Sequence, residues 1–217
     1  MKICCISDTH SHHRKINIPE CDVLLHAGDI SWKGELSIIE DFSNWLKELP
    51  VKHKLIVFGN HELGMRAGPK RQIAIDMINN SGSVYLEDSG VEIDGINFYG
   101  SPWQPWFHDW EFNLQRGKDI AAAWAKIPDN TNVLITHGPA YMIRDEAPRG
   151  VVSHENVGCV DLLNKISELS HLKLHVFGHI HSGYTKEPIL IDQTYFVNAS
   201  CCTESYSPIN PPIVIEL

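Results

Sequence analysis

Apolar residues in this chain gather into short runs, and each run stops at a polar residue able to bind a metal. Lys2-Ile-Cys-Cys-Ile-Ser7 precedes Asp8 and His10, and Asp22-Val-Leu-Leu-His-Ala27 precedes Gly28-Asp29. Lys54-Leu-Ile-Val-Phe58 leads to Gly59-Asn60-His61-Glu62, Asn132-Val-Leu-Ile-Thr136 to His137, and Leu174-His-Val-Phe177 to Gly178-His179-Ile180-His181. Runs this short, rich in β-branched residues and closed by glycine, predict strands buried on both faces. Between them the period changes to that of a helix. Residues 35–49 place Leu36, Ile39, Phe42, Trp45, Leu46 and Leu49 on one stripe that Pro50 stops. Residues 69–80 open on Pro69, suited to a first helical turn, with Ile73, Met77 and Asn80 along one side. Weaker helical patterns cover 118–127 and 157–170.

Strands alternating with helices predict mostly parallel sheets covered by helices. Asp94-Gly95, inside Val91–Tyr99, signals a hairpin, and 188–217 reads as further strands ending in Ile213-Val-Ile. The expected architecture is a layered α/β sandwich with antiparallel additions at the sheet edges. With 43% hydrophobic and 21% charged residues and no shift in composition, residues 1–217 are expected to form a single domain. No apolar run approaches membrane-spanning length, and the N-terminus lacks the apolar core of a signal peptide. The six cysteines include two adjacent pairs and no CxxC, which disfavours disulfides and a thiolate zinc site and points to a reducing cytoplasm. A net charge of −9 with no basic stripe argues against a long nucleic acid as partner, while a small anionic substrate stays compatible if bound cations make one cleft positive. Nothing in the composition excludes a homo-oligomer. The 13 histidines are many for this length.

Ligands of open α/β sheets collect outside the carboxyl ends of the strands. Asp8, His10, Asp29, Asn60, His137, His179 and His181 are therefore expected to converge on one rim. Imidazole, carboxylate and amide oxygen suit manganese, iron or zinc. This set, with one carboxylate shared, would fill most of two coordination spheres. Two ions roughly 3.5–4 Å apart can clamp the attacking and leaving oxygens of a phosphoryl transfer.

The ordered set Asp8-x-His10, Gly28-Asp29, Gly59-Asn60-His61-Glu62, His137 and Gly178-His179-x-His181 resembles the calcineurin-like metallophosphoesterases. A closer likeness, to the metallophosphoesterase-domain (MPPED) branch, rests on Gly100-Ser-Pro-Trp-Gln-Pro-Trp106, His137-Gly-Pro139, Gly158-Cys-Val-Asp-Leu162 and His175–Tyr184. The resemblance implies a four-layer α-β-β-α sandwich of two mixed sheets flanked by helices. It implies that Asp8, His10 and His181 hold one divalent ion, that Asn60, His137 and His179 hold the other, and that Asp29 bridges them. The expected metal is Mn2+, with iron or zinc as alternatives. His61 resembles the histidine that orients the phosphate or protonates the leaving oxygen, so His61 and Asp29 are the catalytic candidates. Glu62 stands where the wider family often has Asp. Some mammalian MPPED members carry Gly in place of His179, so its presence here predicts a competent enzyme.

The activity this implies is hydrolysis of a small, cyclic-nucleotide-like phosphodiester through a hydroxide activated by the metals. Phosphomonoesterase or protein phosphatase activity is the second reading, and a DNA nuclease or a catalytically weak scaffold the third. Asn60, His61, His12 and Arg144 are the candidate phosphate contacts. Each motif has a plainer alternative. Asp8-Thr9-His10 and Asn60 could cap helices, Gly28-Asp29 could be a turn, and His61 could be a packed core histidine. His26 and His175, within strand patterns, are expected to be packed or hydrogen-bonded, and His53, His108 and His171 to lie in loops or on the surface. The aromatic loop Trp103–Trp110 reads as packing before it reads as a stacking platform, and the adjacent cysteines as small apolar residues.

Overall fold

A computed structural model describes residues 1–149 and 153–217. The first sheet has the order β15-β1-β2-β3-β4, built from Ile213–Glu216 (β15), Lys2–Ile6 (β1), Val23–Ala27 (β2), His53–Val57 (β3) and Val84–Tyr85 (β4). β1 to β4 run parallel and β15 antiparallel, with Ile3 opposite Val23 on one side and Ile215 on the other. The second sheet has the order β13-β14-β12-β9-β6-β5. Its strands are Ile189–Ile191 (β13), Thr194–Asn198 (β14), Leu174–Phe177 (β12), Val133–Thr136 (β9), Ile96–Ser101 (β6) and Ser89–Ile93 (β5). The four inner strands are parallel, and antiparallel β13 and β5 close the edges. Two small pairs lie outside the sheets: Gln104–Pro105 (β7) with Asn113–Leu114 (β8), and Glu146–Arg149 (β10) with Ser153–Asn156 (β11).

Because strand side chains alternate between faces, each strand feeds two cores. Ile3, Cys5, Val23, Leu25, Leu55 and Val57 meet Val133, Ile135, Leu174, Val176 and Val197 between the sheets. Cys4, Ile6, Leu24 and Ile56 face Ile39, Phe42, Trp45 and Leu46 of α1 (Leu36–Glu48) and Ala74 and Ile78 of α2 (Pro69–Asn79). Leu134, Phe177 and Phe196 face Ile120 and Trp124 of α3 (Lys118–Trp124) and Leu162 and Ile166 of α4 (Val160–Glu168). Helix, sheet, sheet and helix thus stack as four layers. Burial on both faces is the reason the strands read as unbroken apolar runs.

The Asp94-Gly95 hairpin forms: Ile93 pairs with Ile96, and the two turn residues have φ of 50° and 80°, the left-handed pair of a type I′ turn. The α1 stripe and the start of α2 at Pro69 also form as expected. Two expectations are corrected. α2 buries Ala74 and Ile78, one residue beyond the expected Ile73 and Met77; Ile73 is 44% exposed and Asn80 exposed, because the small Ala74 lets the helix approach α1 on that side. His53 is not a loop residue but opens β3, half-buried. The buried cysteines 4, 5, 201 and 202 pack as apolar residues, and all six in the chain are free thiols. Among the described residues no helix is long and apolar enough to cross a membrane.

His175 and His26 are fully buried strand residues. Thr136 Oγ1 donates to the Gly138 carbonyl at 2.7 Å, so it accepts from His175 Nε2–H at 2.8 Å, while His175 Nδ1 has no partner. His26 accepts from Gly28 N at Nδ1 (3.2 Å) and meets Thr9 Oγ1 at Nε2 (3.0 Å). Burial pushes both imidazoles from the ordinary value near 6.5 down to about 3. The unfolded chain therefore takes up protons below pH 6.5 that the fold refuses. Stability is complete above that pH and falls at about 1.4 kcal/mol per unit for each group as the pH drops toward 3. His175→Gln, which keeps the donor to Thr136, should reduce the acid slope of the urea-unfolding free energy between pH 6 and 4 by about one proton. An unchanged slope would assign the acid sensitivity to other groups.

Candidate metal centre

β1, β2 and β3 of one sheet and β9 and β12 of the other end at a common rim. Asp8 and His10 follow β1, Asp29 follows β2, Asn60 and His61 follow β3, His137 follows β9, and His179 and His181 follow β12. The turns are tight: Asp8, His10, Asp29 and His179 have φ of 50°, 39°, 57° and 66°. Such left-handed conformations cost non-glycine residues roughly 1–2 kcal/mol each and cluster at functional sites. They persist here because the loops hold one another, Asp8 N donating to Gly28 O at 2.9 Å and His10 N to Asp29 O at 3.1 Å. Gly178 leaves room for the Asp8 carboxylate, into which any Cβ would run. At Gly28, φ of +104° and the neighbouring His137 ring both exclude a side chain.

Ligand atoms of Asp8, His10 and His181 lie within 4.8 Å of one another, as do those of Asp29, His137 and His179, and of His10, Asp29 and His61. His10 Nε2 and His181 Nε2 stand 3.3 Å apart, and His181 Nε2 lies 3.4 Å from Asp8 Oδ1. His137 Nε2 lies 2.9 Å from Asn60 Oδ1 and 3.4 Å from Asp29 Oδ1. Asp29 Oδ2 looks the other way, 3.9 Å from His10 Nε2 and 3.8 Å from His61 Nε2. The far side of each ring is tied to backbone. Nδ1 meets Ser31 O for His10 (3.3 Å), Trp32 O for His61 (2.8 Å), Ala27 O for His137 (2.8 Å) and Thr203 O for His181 (3.0 Å). A carbonyl only accepts, so Nδ1 carries the proton in all four and a neutral ring points its Nε2 lone pair into the cluster. This is the tautomer a metal ligand needs, enforced by the carbonyl support characteristic of metal-bound histidine. The donor set fits divalent ions.

The electrostatics agree. Burial pushes His10 down to about 4 and His179 to about 3, which keeps both neutral. Burial also works against charge on His137 and His181, but Asp29 beside one and Asp8 beside the other raise them to about 9. Burial opposes charge on the two carboxylates as well, yet the surrounding imidazoles hold both below the usual carboxylate range. A buried field that draws protons onto two imidazoles also favours a divalent cation among them.

Glu62 is wholly buried beneath this rim. Its Oε1 accepts from Ser31 N and Oγ, both at 3.0 Å, and its Oε2 from Asp29 N at 3.1 Å and Gly59 N at 2.7 Å. It thereby ties the Asp29 loop to the Asn60 loop, and His61 N donates to Asp29 Oδ1 at 2.9 Å to complete the tie. A cleft of about 890 Å³ opens over the cluster, lined by Asp29, Asn60, His61, His179 and His181 among others.

Two residues suggested for phosphate contact lie elsewhere. His12 is half-buried before a 3-10 turn (His13–Lys15), and Arg144 is half-buried in the loop after His137; neither lines the cleft. His13 is buried against Asp41 at 2.9 Å. Arg116, an arginine on the cleft wall, donates to Gly158 O at 2.7 Å and to Val157 O at 2.5 Å. Tyr206 and Trp32 were not among the candidates. The Tyr206 ring stands edge-on to His10 at 4.9 Å and His181 at 5.3 Å and packs on Trp32 at 4.6 Å. The aromatic loop also departs from the packing expected of it, since Trp106 is 53% and Phe107 50% exposed on the cleft wall.

Residues 1–183 match the family model for the calcineurin-like phosphoesterases. The chain is 40% identical over 237 aligned positions to Metallophosphoesterase domain-containing protein 1 of Homo sapiens, covering 98% of this chain and 70% of that protein, and the Mus musculus protein matches equally. It is 34% identical to UPF0046 protein K07C11.7 of Caenorhabditis elegans, over 100% of this chain and 75% of that protein. The fold is shared with TT1561 of Thermus thermophilus, at a TM-score of 0.60 and 10% identity, covering 91% of this chain and 88% of that one. A family model spanning most of the chain, the relatives at this level of identity and a donor set suited to divalent ions all agree: the chain belongs to the calcineurin-like phosphoesterase family.

Proposed function

We propose that the protein is a dinuclear, manganese-dependent phosphodiesterase acting on a small, cyclic-nucleotide-like phosphodiester in the cytoplasm. The observation that carries this reading is the common tautomer of His10, His61, His137 and His181, each with Nδ1 tied to a carbonyl and Nε2 facing the cluster. In this reading Asp8, His10 and His181 hold one ion, and Asn60, His137 and His179 the other. Asp29 serves both, since its Oδ1 faces His137 and its Oδ2 faces His10. When bound, such a pair of ions polarises a phosphoryl group and lowers the pKa of water toward 7.

The protein's own groups do the rest. His61 keeps its Nδ1 proton on Trp32 O, so Nε2 is the atom that can hold a proton for the leaving oxygen. Asn60, on the cleft wall, can bind a phosphoryl oxygen through its amide. The Tyr206 ring shields His10 and His181 from water on one side. Six free thiols support a reducing compartment.

The test is hydrolysis of bis(p-nitrophenyl) phosphate against p-nitrophenyl phosphate with added manganese. Diester preference is expected, and His61→Ala should lower kcat by about 10²–10⁴ while manganese content stays unchanged. Monoester preference would move the assignment to the phosphomonoesterases. Tight metal binding with no turnover of either ester would make the protein a scaffold.

A further inference from the structure

The loop between β7 and β8 holds none of the ligand candidates, yet it is tied down more firmly than a surface connection requires. Two large aromatic side chains half exposed on the cleft wall, Trp106 and Phe107, mark a binding surface rather than a packing one. Beneath them Asn113 is 7% exposed. Its Oδ1 accepts from Gln104 Nε2 at 3.1 Å, and its Nδ2 donates to the carbonyls of Phe107 (3.1 Å), His108 (3.0 Å) and Trp110 (3.0 Å). An amide carries two hydrogens, so one is shared between acceptors, and all three carbonyls turn inward around a single side chain.

The loop is also set in register with the metal-ligand loops. Glu111 N donates to Asn60 O at 3.3 Å, and Gly64 N to Glu111 Oε1 at 2.7 Å. The Trp110 ring lies 4.4 Å from that of His61, and the Phe107 ring stands edge-on to His179 at 6.1 Å. One wall of the cleft is therefore aromatic and fixed relative to the groups that would receive the phosphate.

We propose that Asn113 is a positioning residue that sets Trp106, Phe107 and Trp110 as a subsite for a planar ring carried on the phosphoryl group, so that the cleft selects ring-bearing esters over small alkyl ones. The proposal rests on the phosphoesterase reading of the same cleft. A flat wall gains by offset or edge-on packing against a ring, and an alkyl group offers it little. Holding the wall in place before binding removes the cost of ordering those side chains at the moment of association.

The experiment is calorimetric titration of the manganese-loaded protein with phenylphosphonate and with methylphosphonate. The phenyl compound should bind about tenfold tighter to the wild type. Asn113→Ala should erase that preference while leaving methylphosphonate affinity and manganese content unchanged. On bis(p-nitrophenyl) phosphate the same variant should raise KM with kcat retained. Trp106→Ala/Phe107→Ala should do the same, and adding it to Asn113→Ala should cost little more, because the two act through one wall. Asn113→Ser, whose single hydroxyl can donate to at most one of the three carbonyls, replaces the alanine variant if that does not fold.

Equal weakening of both phosphonates, or loss of manganese, in the Asn113 variants would reduce the residue to a structural role and overturn the proposal. Survival of the phenyl preference without Trp106 and Phe107 would overturn the subsite itself. Phosphonate binding needs no turnover, so a wild type that prefers the phenyl compound yet leaves the diester intact refutes the diesterase reading alone.

Discussion

Replacing Asp29 by alanine should abolish turnover and metal retention together. Its two oxygens face opposite halves of the cluster, Oδ1 toward His137 at 3.4 Å and Oδ2 toward His10 and His61 at 3.9 and 3.8 Å. No other described carboxylate spans both halves, since Asp8 sits with His10 and His181 only. A fall in kcat/KM of at least about 10³, roughly 4 kcal/mol of transition-state stabilisation, is expected. Bound manganese measured after gel filtration should fall with it. The fold should survive, because the change unpairs one buried backbone donor, His61 N, at about 1–3 kcal/mol and leaves the hydrophobic clusters intact. His137 would lose the largest of the influences that raise it, leaving Asp8 and the Ala27 carbonyl against its burial. Full activity in this variant with both ions in place would refute the shared-ligand role.

The convergence of these side chains was readable in the sequence, and the reason is geometric. Strands buried on both faces leave an unbroken apolar signature, and the first polar residue after each marks the sheet's end. Parallel strands put those ends on one side, so Asp8, Asp29, Asn60, His137 and His179 converge although up to 171 positions separate them. The same alternation pointed to a layered α/β sandwich, while the four-layer order came from the family resemblance. What was missed lacks a period. α2 has a weak stripe, so the choice between Ile73 and Ala74 falls to how closely the helix approaches α1 rather than to sequence spacing. Tyr206 lies in a coil with φ of 58°, held by turns such as Tyr206 N to Thr203 O at 2.7 Å, and no pattern reports which side chain such a coil turns toward His10. His12 and Arg144 were named for their proximity to motifs in sequence. The chain sets the first just before a 3-10 turn and the second in a left-handed loop position, and neither lines the cleft.

Glu62 touches no ligand atom of the cluster, yet its loss should be nearly as damaging as that of a ligand. Burial and the nearby Asp29 push its carboxyl up to about 7, while the N–H groups of Ser31 and Gly59 pull in the opposite direction. Both oxygens are already occupied by donors, which leaves no acceptor for a carboxyl proton. Glutamine is therefore a poor substitute: wherever its NH2 points, it meets N–H groups that need an acceptor. Unpairing one buried backbone donor, Ser31 N, or two, Asp29 N and Gly59 N, costs about 2–4 kcal/mol. In a chain of this length that lowers Tm by about 10 °C. With the NH2 toward Asp29 N and Gly59 N the tie between the two loops is lost, and with it toward Ser31 the Asp29 loop loses its Ser31 anchor. Either way the Asp29 and Asn60 loops should drift and weaken manganese affinity about 10- to 100-fold, as for other residues that orient metal ligands. Thermal melts with and without manganese, and a manganese titration of Glu62→Gln, measure both effects. The difference between the two melts should shrink along with the affinity, since bound metal stabilises only the folded chain. A variant that melts and binds manganese like the wild type would show that the ligand loops hold their register without Glu62.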